Sequence, residues 1–206
     1  MLTVDLPGAR ALFTTRDTGD LALGQTANRE RLETELGVRF AWAKQVHGAT
    51  VHTVDQPGLV GDGDGVITER HGLAPIVLAA DCVPVVMSNG HSVAAIHAGW
   101  HGLDEGVLAN GVKALGGAGV CAAIGPAAGS CCYEVGEDLH ARFQAYDARQ
   151  GRNLHLAKIA RAQLEAAGVE RVYDVGICTI CSEEHFSHRR EQGQAGRQAG
   201  IGWLTS

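Results

Sequence analysis

Apolar positions in this chain recur in short runs, broken every few residues by glycine or a polar turn. Residues 40–46, 50–54, 66–68, 76–80, 83–87 and 93–97 read as strands, and 120–124 as a short buried one. Residues 172–178 form another, and 201–204 close the chain as a short apolar segment. Helical spacing appears at four places. One is 27–36. A second is 102–115, with Leu103, Val107 and Leu108 on one stripe. A third is 136–146, with Leu139, Phe143 and Tyr146 at i, i+4 and i+7. The fourth is 153–167, opened by Asn153 as N-cap and closed by Gly168 at C′, with Leu156, Ile159, Ala160, Gln163 and Leu164 along it. Most of the first forty residues read as loop. Strands mixed with helices give an α/β or α+β fold. Because the early strands follow one another so closely, some must pair antiparallel.

Composition sharpens this picture. The 206 residues include 28 glycines, about twice the usual ~7%, and only 5% aromatics. Such a chain makes many tight turns and brings backbones close together. The glycines have no three-residue period, so collagen is excluded. No repeat or linker divides the sequence, and a single domain over 1–206 is expected. Net charge is −6, with no dominant basic patch, which disfavours nucleic acid as a partner. The longest apolar run, residues 73–80, is too short to span a bilayer. Charges within the first twenty residues interrupt any secretory signal. The expected setting is the cytoplasm, with the six cysteines reduced.

Three polar residues stand where strands end or bend: His47, Cys82 and His97. Their side chains either converge at one rim of a sheet or are unrelated. Two imidazoles and a thiolate suit Zn²⁺ and leave the fourth position open, the mark of a catalytic site. The same atoms allow a second chemistry, in which Cys82 is a nucleophile and His97 its base. Asp81 would then be the carboxylate that orients an imidazole, although neighbours on a strand face opposite ways.

The strings KQVHG, DGVIT, AADCVPVV, AAIHAGW, IGPAAGSCCYEVG and FSHRREQGQAGR resemble the family once labelled multicopper polyphenol oxidase or laccase-like. That family is now described as purine nucleoside phosphorylase, and in some bacteria as a peptidoglycan editing factor. The likeness runs from about Phe13 to the C-terminus, in the family's order. It implies mixed sheets packed as a sandwich with helices on the outer faces. It also implies a catalytic metal site at His47, Cys82 and His97, holding zinc in preference to copper. The reaction implied is phosphorolysis of adenosine, inosine and methylthioadenosine to free base and ribose 1-phosphate, with adenosine deamination as a side activity. Nucleoside and phosphate are then the partners, and a homodimer is compatible with the resemblance. Arg29 of the early NR pair is implied as substrate-facing, with Arg16 of the TTR string as a further candidate. A Cys82-dependent amidase acting on peptidoglycan precursors and a binding protein with a structural metal are the alternatives.

One departure bears on phosphate. The family usually has Arg after HAGW, and this chain has His101. An imidazole titrates near neutral pH where a guanidinium does not, so phosphate affinity is expected to weaken as pH rises. Other signals are read as structural. Cys178-x-x-Cys181 with His185 and His188 lacks zinc-finger spacing, and Cys178 is expected inside a strand. Cys131 and Cys132 are adjacent and are not expected to face one site. GDGDG at 61–65 lacks the full EF-hand string and reads as a turn. Arg189 and Arg190 read as solvated or ion-paired. Three visible ligands cannot build a multi-copper oxidase, and no HxE…PCxxC string marks a standard zinc deaminase.

Overall fold

The computed structural model describes residues 1–205, in which the short apolar runs pair into two six-stranded sheets. From the N-terminus the elements are β1 (Leu2–Leu6), β2 (Ala9–Phe13), α1 (Thr26–Leu36), β3 (Arg39–Lys44), β4 (Val51–Thr53), β5 (Gly58–Asp62), β6 (Gly65–Thr68), β7 (Leu73–Ala79), β8 (Val83–Ser88) and β9 (Val93–Ala98). There follow α2 (Trp100–Asp104), α3 (Val107–Ala114), β10 (Cys121–Ile124), α4 (Glu137–Arg142), β11 (Arg149–Gln150), β12 (Asn153–Leu154), α5 (Leu156–Ala166), β13 (Arg171–Asp174) and β14 (Gln198–Leu204). The first sheet has the order β1-β2-β14-β7-β3-β5 and the second β13-β10-β8-β9-β6-β4, with β11 and β12 as a separate ribbon. Antiparallel pairs dominate the centre, as at β8–β9 and β14–β7, while β3 runs parallel to β5 and β7.

The sheets pack face to face. Phe13 and Leu204 from the first meet Val86, Val93 and Ala123 from the second. On the outer face of the first sheet, Leu32 of α1 covers Phe40, Ile76 and Ile201. On the outer face of the second, α3 and α5 bury Leu108, Val112, Ile159 and Leu164 against Val83, Val85 and Met87. Alternate residues of β8 thus serve two cores, which is why its sequence is apolar throughout rather than alternating. Each fully buried Leu or Ile contributes about 1.5–3 kcal/mol. The expected mixed α/β sandwich with outer helices is what the chain forms.

Close packing accounts for part of the glycine excess. A Cβ on Gly202 would fall 2.6 Å from Val93, and one on Gly125 would fall 2.3 Å from the ring of Phe13. The two sheets and the loop leaving β10 approach too closely for a side chain at either position.

Several expected elements change. The N-terminal loop contains β1 and β2, an edge hairpin whose partner β14 lies nearly two hundred residues away. The helix expected over 102–115 is two helices, because Gly106 takes φ +82° and turns the chain between them. The helix over 136–146 keeps only Glu137–Arg142 before tightening into a 3₁₀ turn. Asn153 does not cap α5. It pairs in β12, and its side chain donates to the Ser130 carbonyl at 2.8 Å. The strand over 172–178 stops at Asp174, and Cys178 makes only an isolated bridge to Ala127.

Candidate metal centre

His47, Cys82 and His97 do converge. Their ligand atoms all lie within 4.8 Å of one another. His47 follows β3 in the first sheet, Cys82 sits where the chain passes from β7 to β8, and His97 lies near the end of β9 in the second. The site therefore straddles the seam between the sheets. His47 has φ +62° and Asp81 has φ +88°, uncommon values for residues with a side chain. Both reverse the chain at a strand end and so aim His47 and Cys82 at His97.

Asp64, which is fully buried, holds this geometry together. Its carboxylate accepts the backbone amides of Val46, His47 and Gly48 at 3.2, 3.0 and 2.7 Å. The same carboxylate lies 2.8 Å from His97 Nδ1. With Nδ1 engaged, His97 presents Nε2 to Cys82, the orientation a metal ligand needs. Burial pushes the Asp64 carboxyl up, but the His97 hydrogen bond and the Gly48 and Val46 amides outweigh it and hold the group below its ordinary range. Burial likewise opposes ionisation of Cys82. The neighbouring His47 and His97 imidazoles prevail and bring its thiol down to about 6. For His97, burial favours the neutral ring, yet Asp64 and then Cys82 raise it to about 9.

Sequence reasoning assigned the orienting carboxylate to Asp81 and read GDGDG as a turn. Its Gly63 and Asp64 do link β5 to β6, but Asp64 in that bend, not Asp81, faces His97. Asp81 turns away to accept Thr179 Oγ1 at 2.6 Å, Ser187 Oγ at 3.1 Å and the Arg189 amide at 2.7 Å. The DGVIT string already carried Asp64, but only the fold shows it reaching 33 residues ahead to His97.

The donor set fits a thiophilic divalent cation of the zinc type. It offers one sulfur and two imidazole nitrogens, with one imidazole fixed by a buried carboxylate. The space between the donors is kept clear by Gly99. A Cβ there would lie 3.0 Å from the His47 ring and 3.2 Å from Cys82 Sγ. A cleft of about 650 Å³ opens above them. Trp42, Trp100 and Tyr133 supply its aromatic wall, and Lys44, Arg189 and Arg197 its cations.

The three further residues singled out from sequence lie outside that lining. Arg29 is buried behind it, stacked 4.9 Å from the Trp42 ring and donating to the Leu23 carbonyl at 3.0 Å. It supports two lining residues. Arg16 is paired with Glu191, donates to the His185 carbonyl at 3.0 Å and covers Phe186 at 4.5 Å. His101 is exposed on α2 and stacks on Trp100 at 3.4 Å, on the helix surface rather than in the cleft. Arg189 is expected to be solvated or ion-paired, and it is exposed. In the structure it lines the cleft, stacked 5.0 Å from the Tyr133 ring and donating to the Glu134 carbonyl at 2.9 Å. A second convergence was also missed: Cys131, Cys132, Cys178 and Cys181 come together on one side of the fold.

Comparison with known proteins bears on this geometry. Residues 10–205 match the family described as multi-copper polyphenol oxidoreductase laccase. A purine nucleoside phosphorylase of Streptomyces coelicolor is 40% identical over 90% of this chain and 85% of its own. The purine nucleoside phosphorylase YfiH of Escherichia coli is 34% identical over 98% of this chain and 89% of its own. Among solved structures, a Neisseria meningitidis protein superposes with a TM-score of 0.86 at 30% identity, covering 100% of this chain and 99% of that one. YlmD of Geobacillus stearothermophilus gives 0.83 at 28% identity, covering 97% and 93%.

Proposed function

The chain belongs to the family described as multi-copper polyphenol oxidoreductase laccase, and we propose that it is a purine nucleoside phosphorylase using one Zn²⁺ at His47, Cys82 and His97. The observation that carries this reading is the triad beneath a cleft lined by aromatic rings and cations. It occurs in a chain 40% identical to a protein bearing that name. The reaction replaces the glycosidic C–N bond by a C–O bond to phosphate, and the base leaves with a proton. Adenosine, inosine and methylthioadenosine are the proposed substrates, and adenosine deamination the side reaction.

A bound Zn²⁺ supplies Lewis acidity toward a phosphate or water oxygen. Asp64 fixes the His97 ring, and the Asp64-anchored loop fixes His47. Trp42 and Trp100 offer faces on which a purine stacks. Arg189, Arg197 and Lys44 line the cleft, which supports a role for them, in place of His101, in offsetting phosphate charge. The work is done by a single-domain protein in the cytoplasm, where the thiols stay reduced. Neither nucleic acid nor membrane is a proposed partner. Among the described residues no helix is long and apolar enough to cross a membrane.

One observation favours a second reading. Cys82, His97 and Asp64 follow one another as thiol, imidazole and carboxylate, the order of a thiol hydrolase. In that reading the Cys82 thiolate attacks an amide carbonyl of a peptidoglycan precursor. The C–N bond breaks as His97 gives a proton to the leaving amine, and water activated by His97 then hydrolyses the thioester.

Chromatography of adenosine incubated with and without phosphate decides between them. Adenine and ribose 1-phosphate should form only with phosphate, and Cys82→Ala should lose both product and triad metal. Amide hydrolysis by metal-stripped protein, with covalent trapping on Cys82, would establish the thiol enzyme instead.

A further inference from the structure

We infer that Cys131, Cys132, Cys178 and Cys181 form a second metal centre, a closed four-thiolate site for a structural Zn²⁺ that ties two loops together beside the cleft. This inference rests on the cysteines alone and is independent of the nucleoside reading.

The four Sγ atoms all lie within 4.8 Å of one another. Cys181 Sγ is 3.2 Å from that of Cys131 and 2.8 Å from that of Cys132. A tetrahedral ion with Zn–S bonds of ~2.3 Å places its sulfurs about 3.8 Å apart. Cys181 lies closer than that to Cys131 and Cys132, and all four sulfurs stay within 4.8 Å, so shifts of about 1 Å open the cluster around one ion. Four sulfurs around one centre are the donor set of structural rather than catalytic zinc. No imidazole or carboxylate belongs to the group, so the site closes without an open position.

Local backbone supports the assignment. Adjacent residues on a strand face opposite ways, but Cys131 and Cys132 lie on a turn. There the Cys132 and Tyr133 amides donate to the Gly129 carbonyl at 3.1 and 3.0 Å. On such a turn successive side chains are rotated by far less than 180°, and both sulfurs reach one point. Across from them, Cys178-x-x-Cys181 forms a second turn, with the Ser182 amide on the Cys178 carbonyl at 3.0 Å. The Gly129 amide donates to Cys178 Sγ at 3.2 Å, an interaction that favours thiolate. That approach requires glycine: a Cβ at 129 would stand 2.8 Å from Cys178 Cβ and 3.3 Å from Cys131 Sγ. Cys131 and Cys181 are exposed, so a chelator or an exchanging metal can reach the cluster.

The consequence concerns the cleft. The 129–134 loop carries Tyr133 in the cleft wall. The 178–182 turn carries Thr179, which holds the Asp81 carboxylate. Arg190 clamps the same turn through the carbonyls of Thr179, Ile180 and Ser182. A metal joining the two loops positions residues on both sides of Cys82 without touching substrate.

The test is metal content of full-length protein purified without added chelator. The parent should hold about two Zn²⁺ per chain. Cys82→Ala should hold about one, and Cys131→Ser/Cys181→Ser about one. The latter pair is exposed, so replacement removes no core contact. Cobalt substitution of Cys82→Ala should still give intense thiolate-to-metal absorption, and the Cys131→Ser/Cys181→Ser change should remove it. Intact mass under denaturing, non-reducing conditions should show all six thiols free. The inference is overturned if Cys131→Ser/Cys181→Ser keeps the parent's zinc content. It is equally overturned if Cys82→Ala holds none, if the cluster's thiols are found in disulfides, or if the metal is iron with inorganic sulfide. Loss of triad zinc alone would bear on the catalytic reading and leave this site standing.

Discussion

Asp64 is the residue on which the triad depends most, although it donates nothing to a metal. Its carboxylate joins the His47 loop to the His97 ring through four hydrogen bonds. Asp64→Asn keeps an acceptor for the loop amides and removes the charge facing His97. Zinc affinity at the triad should fall about 10–100-fold, read by chelator competition in the Cys131→Ser/Cys181→Ser background. Unchanged affinity would confine Asp64 to holding the loop. The imidazoles beside Cys82 lead to a second expectation. With its thiol at about 6, metal-stripped protein carries mostly thiolate at Cys82 by neutral pH. The thiolate is the nucleophile, so alkylation should rise as pH climbs through about 6, well below the ~8.5 of a free cysteine. Peptide mass analysis at a series of pH values isolates Cys82 from the other five. A midpoint near 8.5 would show that the imidazoles do not stabilise the thiolate.

At the scale of elements, the break between α2 and α3 controls how the chain passes from the metal site to the outer helix layer. Gly106 lies at φ +82° with open space around its Cα. A methyl there meets no neighbour, so its effect is purely conformational. Gly106→Ala should cost about 1–2 kcal/mol, read as a lower urea midpoint with unchanged slope. An unaltered midpoint would mean that this turn relaxes freely. Helical periodicity ran through the break without detecting it, because Leu103, Val107 and Leu108 are all buried on the same side. The edge hairpin β1–β2 was also unseen. Its burial depends on β14 and on the second sheet, both remote in sequence.

For the whole molecule, the triad bridges the sheets, so a metal bound there would couple to folding. The ligands come from the end of β3, the β7–β8 crossing and β9, and an ion held by all three resists separation of the layers. A ligand present at a hundred times its Kd stabilises the folded state by about 2.7 kcal/mol. In a chain of this length that corresponds to a Tm rise of about 5–10 °C. Thermal melts of stripped protein with and without zinc should show this rise in the Cys131→Ser/Cys181→Ser background. Adding Cys82→Ala should abolish it. A rise that persists there would place the stabilising ion elsewhere.

His47, Cys82 and His97 stood out along the chain because strand ends are local features that apolar periodicity marks, but periodicity left their convergence open and only the resemblance implied it. The central strands, the outer helices and the mixed sandwich were legible for the same reason, with the resemblance adding the arrangement of layers. Asp64, the cleft's cations and the four-cysteine cluster were not. Each depends on contacts between residues 33 to 50 positions apart or more, which periodicity does not encode. Arg16 and Arg29 show the converse. A guanidinium that looks free in the sequence is engaged in the fold by carbonyls, a carboxylate or an aromatic face. Local pattern decides where a side chain sits along a strand. Only packing of the two sheets decides which side chains then meet.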